Sequence, residues 1–279
     1  MTSRSSSSGP FPARSVLVRR GTIGDFDAPG PRPPLVPDGI LHWAKWGLLP
    51  ISSIMRVATH EPVISLTYDD GPDPVETPEL LDVLAARGVR VTFFVLSDRA
   101  TAHPGIVRRM LAEGHDVQLH GDDHTDLTTI PAAEAVQRIR RAKAAVEAVT
   151  GHSIRNFRPA YGAVNLATFL GVRALGMDVV IWSAWAEDWF EAPAQEIADR
   201  AVQALHPGAV VLLHDTNDPA PTPAGPVRPT FSRAEVADRL LDGASASGFR
   251  TLPLSQMLDR YPAVRSLTFR RPRLRTRGN

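Results

Sequence analysis

The sequence contains no cysteine. That excludes a disulfide framework and any thiolate metal site, so a bound metal would have to be held by His, Asp or Glu. The redox compartment is left undetermined. Lysine is nearly absent as well. Lys45 and Lys143 are the only two, and arginine carries almost all of the positive charge. Long apolar runs are missing. A membrane span needs roughly 18 apolar residues, and the nearest candidate, residues 40–55 (ILHWAKWGLLPISSIM), is shorter and is interrupted by His42, Lys45 and Pro50. Residues 2–12 are rich in Ser, Gly and Pro, with no apolar stretch behind a basic start. No export signal is read there, and the expected location is cytoplasmic.

What is present is a globular composition. The chain has 279 residues, 43% of them hydrophobic, enough for one substantial core with or without arms. The net charge of +1 is unevenly spread: residues 265–279 carry six arginines and no acid. Solvated ends are the plain reading. The alternative is peripheral membrane or lipid contact through residues 40–55 and the basic tail. No nucleic-acid partner is expected, because the body offers no reading motif.

Residues 1–37 read as a flexible arm, broken by GPFP, APGPRPP and Pro37. Residues 38–59 read as an apolar helical lead-in, residues 60–262 as the folded domain, and residues 263–279 as a basic tail. Within the domain, runs of strand length alternate with helical patterns. Strands are expected at 63–67, 91–95, 117–120, 179–183 and 209–214, with shorter ones near 156–158 and 251–254. Helices are expected at 78–87, 104–113, 132–149, 166–175, 194–205 and 233–247. Thr77 offers an N-cap before Pro78, Pro131 and Gly151 bracket one helix, and Ser232 with Glu235 matches a capping box. This alternation predicts an α/β fold with a parallel sheet of about seven strands. A closed or nearly closed (β/α) barrel is preferred over an open doubly wound sheet. Either architecture puts a ligand at the carboxyl ends of the strands.

Polar residues gather where those ends fall. The first strand of the domain runs into Asp69-Asp70-Gly71-Pro72. Two adjacent carboxylates there need a cation or a shared proton, although Asp, Gly and Pro also make ordinary turns. His120 and His124 lie four apart, a spacing that suits a metal held by two His and a carboxylate if the chain turns into a helix. Trp182, Trp185 and Trp189 surround Glu187 and Asp188 as either core or a saccharide-binding wall. His214 closes a wholly apolar run.

Together these residues resemble the polysaccharide deacetylase family with the NodB-homology domain, also called carbohydrate esterase family four. Five motifs occur in family order: TYDDGP at 67–72, HGDDH at 120–124, RPAYG at 158–162, WAEDW at 185–189 and LLH at 212–214. The resemblance implies a distorted (β/α) barrel over residues 60–262 and a hydrolase of N-acyl amides on an amino sugar or saccharide-containing substrate. It implies Asp69 as general base, and Asp70, His120 and His124 as ligands of one divalent metal, zinc first, with cobalt, nickel or manganese also accepted. Arg158 would orient the base, Tyr161 would give its backbone N–H to the oxyanion, and His214 would be the general acid. Asp188 would tune His214 or the Arg158 network, and Trp189 and Leu212 would wall the acyl pocket. The sequence departs from the family pattern at Gly121, where Ser or Thr is usual, and at Trp185, where Asp is frequent. The other readings are an amide hydrolase of the same family acting on a non-sugar, lipid-linked or natural-product substrate, and a non-catalytic carbohydrate-binding protein.

Overall fold

The computed structural model describes residues 15–18 (backbone only), 51–218 and 228–267. Most of the expected arm, the Trp43–Leu49 part of the lead-in and the arginine-rich end beyond Leu267 lie outside the described residues.

The elements, in order, are β1 (Ser15–Val18), β2 (Ser53–Val57), β3 (Val63–Asp69), α1 (Glu76–Ala86), β4 (Thr92–Leu96), α2 (Ser97–Ala102), α3 (Pro104–Ala112), β5 (Asp116–Gly121) and α4 (Ala132–Thr150). They continue with β6 (Asn156–Phe157), α5 (Leu166–Ala174), β7 (Asp178–Val179), β8 (Ala184–Trp185), α6 (Ala194–Ala204), β9 (Ala209–His214), α7 (Arg233–Ala246), β10 (Arg250–Thr251), α8 (Leu254–Arg260) and β11 (Ala263–Ser266). Strands β9, β3, β4, β5, β6 and β7 run parallel in that spatial order. Strand β2 lies antiparallel to β9 and also bridges Val180 through Ile54, with the Ile181 N–H donating to the Ile54 carbonyl at 2.7 Å. These seven strands therefore form an irregular ring, a distorted (β/α) barrel.

Alternation along β3 explains its two faces. Ile64, Leu66 and Tyr68 join the large core between sheet and helices. Val63 belongs to a second cluster with Ile54, Phe94, Val180 and Val210, which α8 completes through Leu254 and Met257. Helix α8 lies against the amino ends of the strands, with the Leu254 N–H on Thr92 Oγ1 and the Ser255 N–H on an Asp116 carboxylate oxygen. The carboxyl ends stay free for chemistry.

Several expectations need correction. The lead-in contains a strand at 53–57, not a continuous helix, because Ile54, Met55 and Val57 are buried between β9 and β11. The first residues of the expected tail form β11, with Arg265 fully buried, and β1, within the expected arm, pairs with it. The sheet is thus mixed: β2 runs antiparallel to both β9 and β11. The single strand expected at 179–183 is split, since its first part pairs with β6 and β2 and its continuation, β8, with β9. The strand near 251–254 shrinks to Arg250–Thr251, and Leu254 instead opens α8. Thr77 is not an N-cap. It lies inside the first turn of α1, while Asp73 Oδ1 accepts the Val75 and Glu76 N–H groups. Pro131 and left-handed Gly151 do bracket α4, and Ser232 does cap α7 through the Glu235 N–H.

Candidate metal centre and active site

The carboxyl ends of β3, β5 and β9 bring the candidate residues together. Asp69 and His214 are direct partners in the β3–β9 register. The backbone after Asp69 turns at once: Asp70 takes φ 77°, a left-handed conformation that costs a non-glycine residue energy and is found where a site demands it. This turn directs Asp70 towards β5. Asp70 Oδ1 lies 3.1 Å from His120 Nε2 and 3.3 Å from His124 Nε2. One donor atom from each of Asp70, His120 and His124 lies within 4.8 Å of the other two.

The chemistry of this trio fits a cation. His120 Nδ1 is 2.8 Å from the Arg158 carbonyl, which can only accept, so Nδ1 carries the proton and Nε2 presents its lone pair. Asp70 Oδ1 is buried and finds no hydrogen-bond donor in good geometry among the described residues. With both imidazoles neutral, the three groups would offer converging lone pairs, which is what a divalent ion requires. The electrostatics point the same way. Burial alone would raise the Asp70 pKa, but His120 and the other nearby imidazoles outweigh it and hold it well below the usual carboxylate range. Burial opposes a charged His120, yet Asp69 and Asp70 raise its pKa; the pocket draws positive charge towards itself.

His124 is reached by a bend, not by the helical turn the spacing suggested. Strand β5 ends at Gly121, where φ is 155° and an added Cβ would come 2.9 Å from the Asp123 carbonyl. Glycine is therefore accommodated here by the shape of the bend. Arg138 on α4 then pins the loop, donating to Asp122 and Asp123 at 2.7 Å each.

Asp69 is held separately. Arg158, fully buried, donates through Nη1 to Asp69 Oδ1 and to Thr67 Oγ1, each at 2.7 Å. Its guanidinium lies over the Phe94 ring at 4.1 Å, which compensates for its incomplete hydrogen bonding. Asp69 Oδ2 stays 3.9 Å from His120 Nε2, beside the trio. On the opposite wall, His214 Nδ1 donates to Asp188 Oδ1 at 2.9 Å, and the His214 N–H donates to Oδ2 at 2.8 Å. Burial disfavours a charged His214, but Asp188 overrides it and the pKa is pushed up to about 9. The structure thus joins Asp188 to His214 and not to the Arg158 network.

These groups line a cleft of about 370 Å³ that also includes Tyr161, Trp182, Trp189, Phe190 and Leu212. Tyr161, at φ 57°, sets its ring 4.4 Å from that of His124. Trp189 stands edge-on to His214 at 5.9 Å. Trp185 is not part of this lining; it packs against the large core. Every sequence-selected site residue therefore reaches the cleft or, like Arg158 and Asp188, touches one that does.

Some contributors were not apparent from the sequence. Arg233, at the start of α7, donates to both the Asp188 carbonyl and Asp188 Oδ2 at 2.7 Å. Nothing near position 233 signals this, because the partner is 45 residues away. Asp215 binds the Gly71 N–H and the Thr77 hydroxyl. Burial, helped by Asp70 and opposed by those bonds, pushes its pKa up to about 7. Its position directly after His214 was the available clue.

The fold and this cluster can be compared with those of known proteins. The family model for polysaccharide deacetylase matches residues 56–180. A chitooligosaccharide deacetylase of Sinorhizobium fredii is 36% identical over 166 residues, 59% of this chain and 77% of that protein. The peptidoglycan-N-acetylglucosamine deacetylase PgdA of Listeria monocytogenes is 38% identical over 152 residues, 54% of this chain but only 32% of that protein. This chain therefore spans about a third of PgdA. The solved structure of the peptidoglycan deacetylase PdaC from Bacillus subtilis is 30% identical and superposes with a TM-score of 0.62, covering 73% of this chain and 93% of that one. The chain belongs to the polysaccharide deacetylase family.

Proposed function

We propose that the protein is a metal-dependent hydrolase that removes an N-acetyl group from an amino-sugar unit of a saccharide substrate. The observation that carries this reading is the convergence of Asp70, His120 and His124 beside an aspartate that is not one of the three. The names of the chitooligosaccharide and peptidoglycan relatives support the substrate class.

Asp70, His120 and His124 would hold the cation, and the His₂Asp set favours zinc while also accepting cobalt, nickel or manganese. A divalent ion held there would supply acidification of a water and polarisation of the amide carbonyl. Asp69, fixed by Arg158 through Oδ1, takes the proton from the attacking water as general base. The Tyr161 N–H donates to the developing oxyanion, a contact worth about 3 kcal/mol in comparable sites. His214 enters protonated, consistent with its raised pKa, and gives its proton to the departing amine. Asp188 and Arg233 keep that imidazole aimed. Leu212 and Trp189 enclose the acyl methyl, and the exposed faces of Tyr161 and Phe190 offer stacking surfaces for sugar rings.

The test is acetate release from N-acetylglucosamine oligomers and peptidoglycan fragments, with and without a chelator. Chelator-sensitive release supports the reading. Release only from non-sugar amides would move the assignment to another substrate class, and no release from any N-acyl substrate with metal supplied would overturn it.

A further inference from the structure

One buried carboxylate beside the site has no part in the chemistry above. Asp215 follows His214 at the end of β9, has no exposed surface, and does not line the cleft. Its Oδ1 accepts the Gly71 N–H at 2.9 Å, and its Oδ2 accepts the Thr77 hydroxyl at 2.7 Å. The Thr77 oxygen in turn accepts the Asp73 N–H at 2.8 Å. The Asp215 N–H donates to the Asp69 carbonyl at 3.3 Å. Asp215 thus grips the chain on both sides of Asp70, at the carbonyl before it and the N–H after it. Asp70 itself sits at φ 77°, a conformation an aspartate keeps only when its surroundings hold it. The fit is close: a Cβ on Gly71 would come within 2.0 Å of Asp215 Oδ2.

We propose that Asp215 is a positioning residue for the metal centre. It is a buried strut from the strand end that carries His214 to the Asp69-Asp70-Gly71 turn, and it keeps Asp70 aimed at His120 and His124. The proposal rests on the metal-site reading above. It also links the two walls of the cleft, because β9 supplies the acid through one residue and steadies the opposite turn through the next.

The experiment measures the zinc dissociation constant by competition with a chromophoric chelator, on the full chain, for wild type, Asp215→Ala and Asp215→Asn. Circular dichroism checks folding, and the visible spectrum of the cobalt(II) form is recorded for each. Loss of a group that orients a ligand typically costs about 10–100-fold in metal affinity, and Asp215→Ala is expected to fall in that range with an altered cobalt band. Asp215→Asn should recover most of the affinity, since its Oδ1 can accept the Gly71 N–H and its Nδ2 can donate to the Thr77 oxygen. Both variants lose the same charge, so a difference between them does not come from charge. Wild-type affinity and an unchanged cobalt spectrum in folded Asp215→Ala would overturn the proposal. If Asp215→Ala does not fold, Thr77→Val, which removes the partner of Oδ2, is read the same way: weaker zinc binding supports the strut and wild-type affinity overturns it. A wild-type chain that binds no zinc would overturn the metal-site reading itself and the strut with it, a result visible before any substitution is made.

Discussion

Replacing Asp188 by Asn should move the alkaline limb of the pH–rate profile. His214 is raised from 6.5 to about 9, against its own burial, and Asp188 is the largest influence raising it. A shift of that size corresponds to roughly 3 kcal/mol of preference for the protonated imidazole, at about 1.4 kcal/mol per pKa unit. The side chain is only 15% exposed, so solvent screening leaves most of that effect in place. With a neutral Asn the largest raising influence is gone, and the opposing burial draws the His214 pKa down from about 9. A bound dication offsets the contribution of Asp70, so the limb of the loaded enzyme lies at or below 9; the downward displacement on substitution remains. Activity needs the protonated acid and is lost as pH rises through its pKa. In Asp188→Asn, kcat/KM should therefore begin to decline at a lower pH, where wild type is still on its plateau. Above the displaced limb the loss should grow about tenfold per pH unit, towards a ceiling of the roughly 10²–10⁴-fold that a general acid contributes. The linked stability has the same sign. A raised histidine pKa stabilises the fold fully below the unfolded value near 6.5 and loses that contribution as pH rises through about 9. The assay is initial-rate acetate release between pH 5 and 10, beside thermal melts of the same samples. An alkaline limb that stays in place in folded Asp188→Asn would refute the acid assignment.

Other substitutions separate the remaining roles. Asp69→Asn should retain the metal while losing about 10²–10⁴-fold in turnover, checked by metal analysis beside the rate. Arg158→Met leaves Asp69 buried without its partner and should destabilise the fold by roughly 3–5 kcal/mol, read from denaturant midpoints; the two groups are 2.7 Å apart with almost no exposure. Phe190→Ala should raise KM for oligosaccharides with little change in kcat, because the ring is 44% exposed at the cleft rim and touches Trp189, not the reacting groups.

The parallel strands and their helices could be read in the sequence, because buried runs such as 63–69 and 209–214 carry their own apolar pattern. Asp69, Asp70, His120 and His214 could be read because each falls at the end of such a run, whereas the roles of Arg158, Tyr161, Asp188, Trp189 and Leu212 came only from the resemblance of their motifs. What escaped depended on contacts distant in sequence. Strand β2 reads as part of an apolar segment, and only its pairing with β9, β11 and Val180 makes it a strand. Arg265 looks like one more arginine of a basic tail, yet it is buried against the Ser52 carbonyl and Asp178. Arg233 lies in an ordinary capped first turn, and its role appears only when α7 meets the loop that carries Asp188. The 120–124 spacing suggested a helix, whereas a bend pinned by Arg138 performs the same convergence.

The most direct measurement is the zinc content per chain of wild type and His120→Ala after loading and removal of free metal. His120 provides the innermost of the converging lone pairs, and its Nδ1 proton is fixed on the Arg158 carbonyl. Wild type should hold one ion per chain and His120→Ala should hold none. A folded His120→Ala that keeps one tightly bound ion would contradict the metal centre assigned to Asp70, His120 and His124.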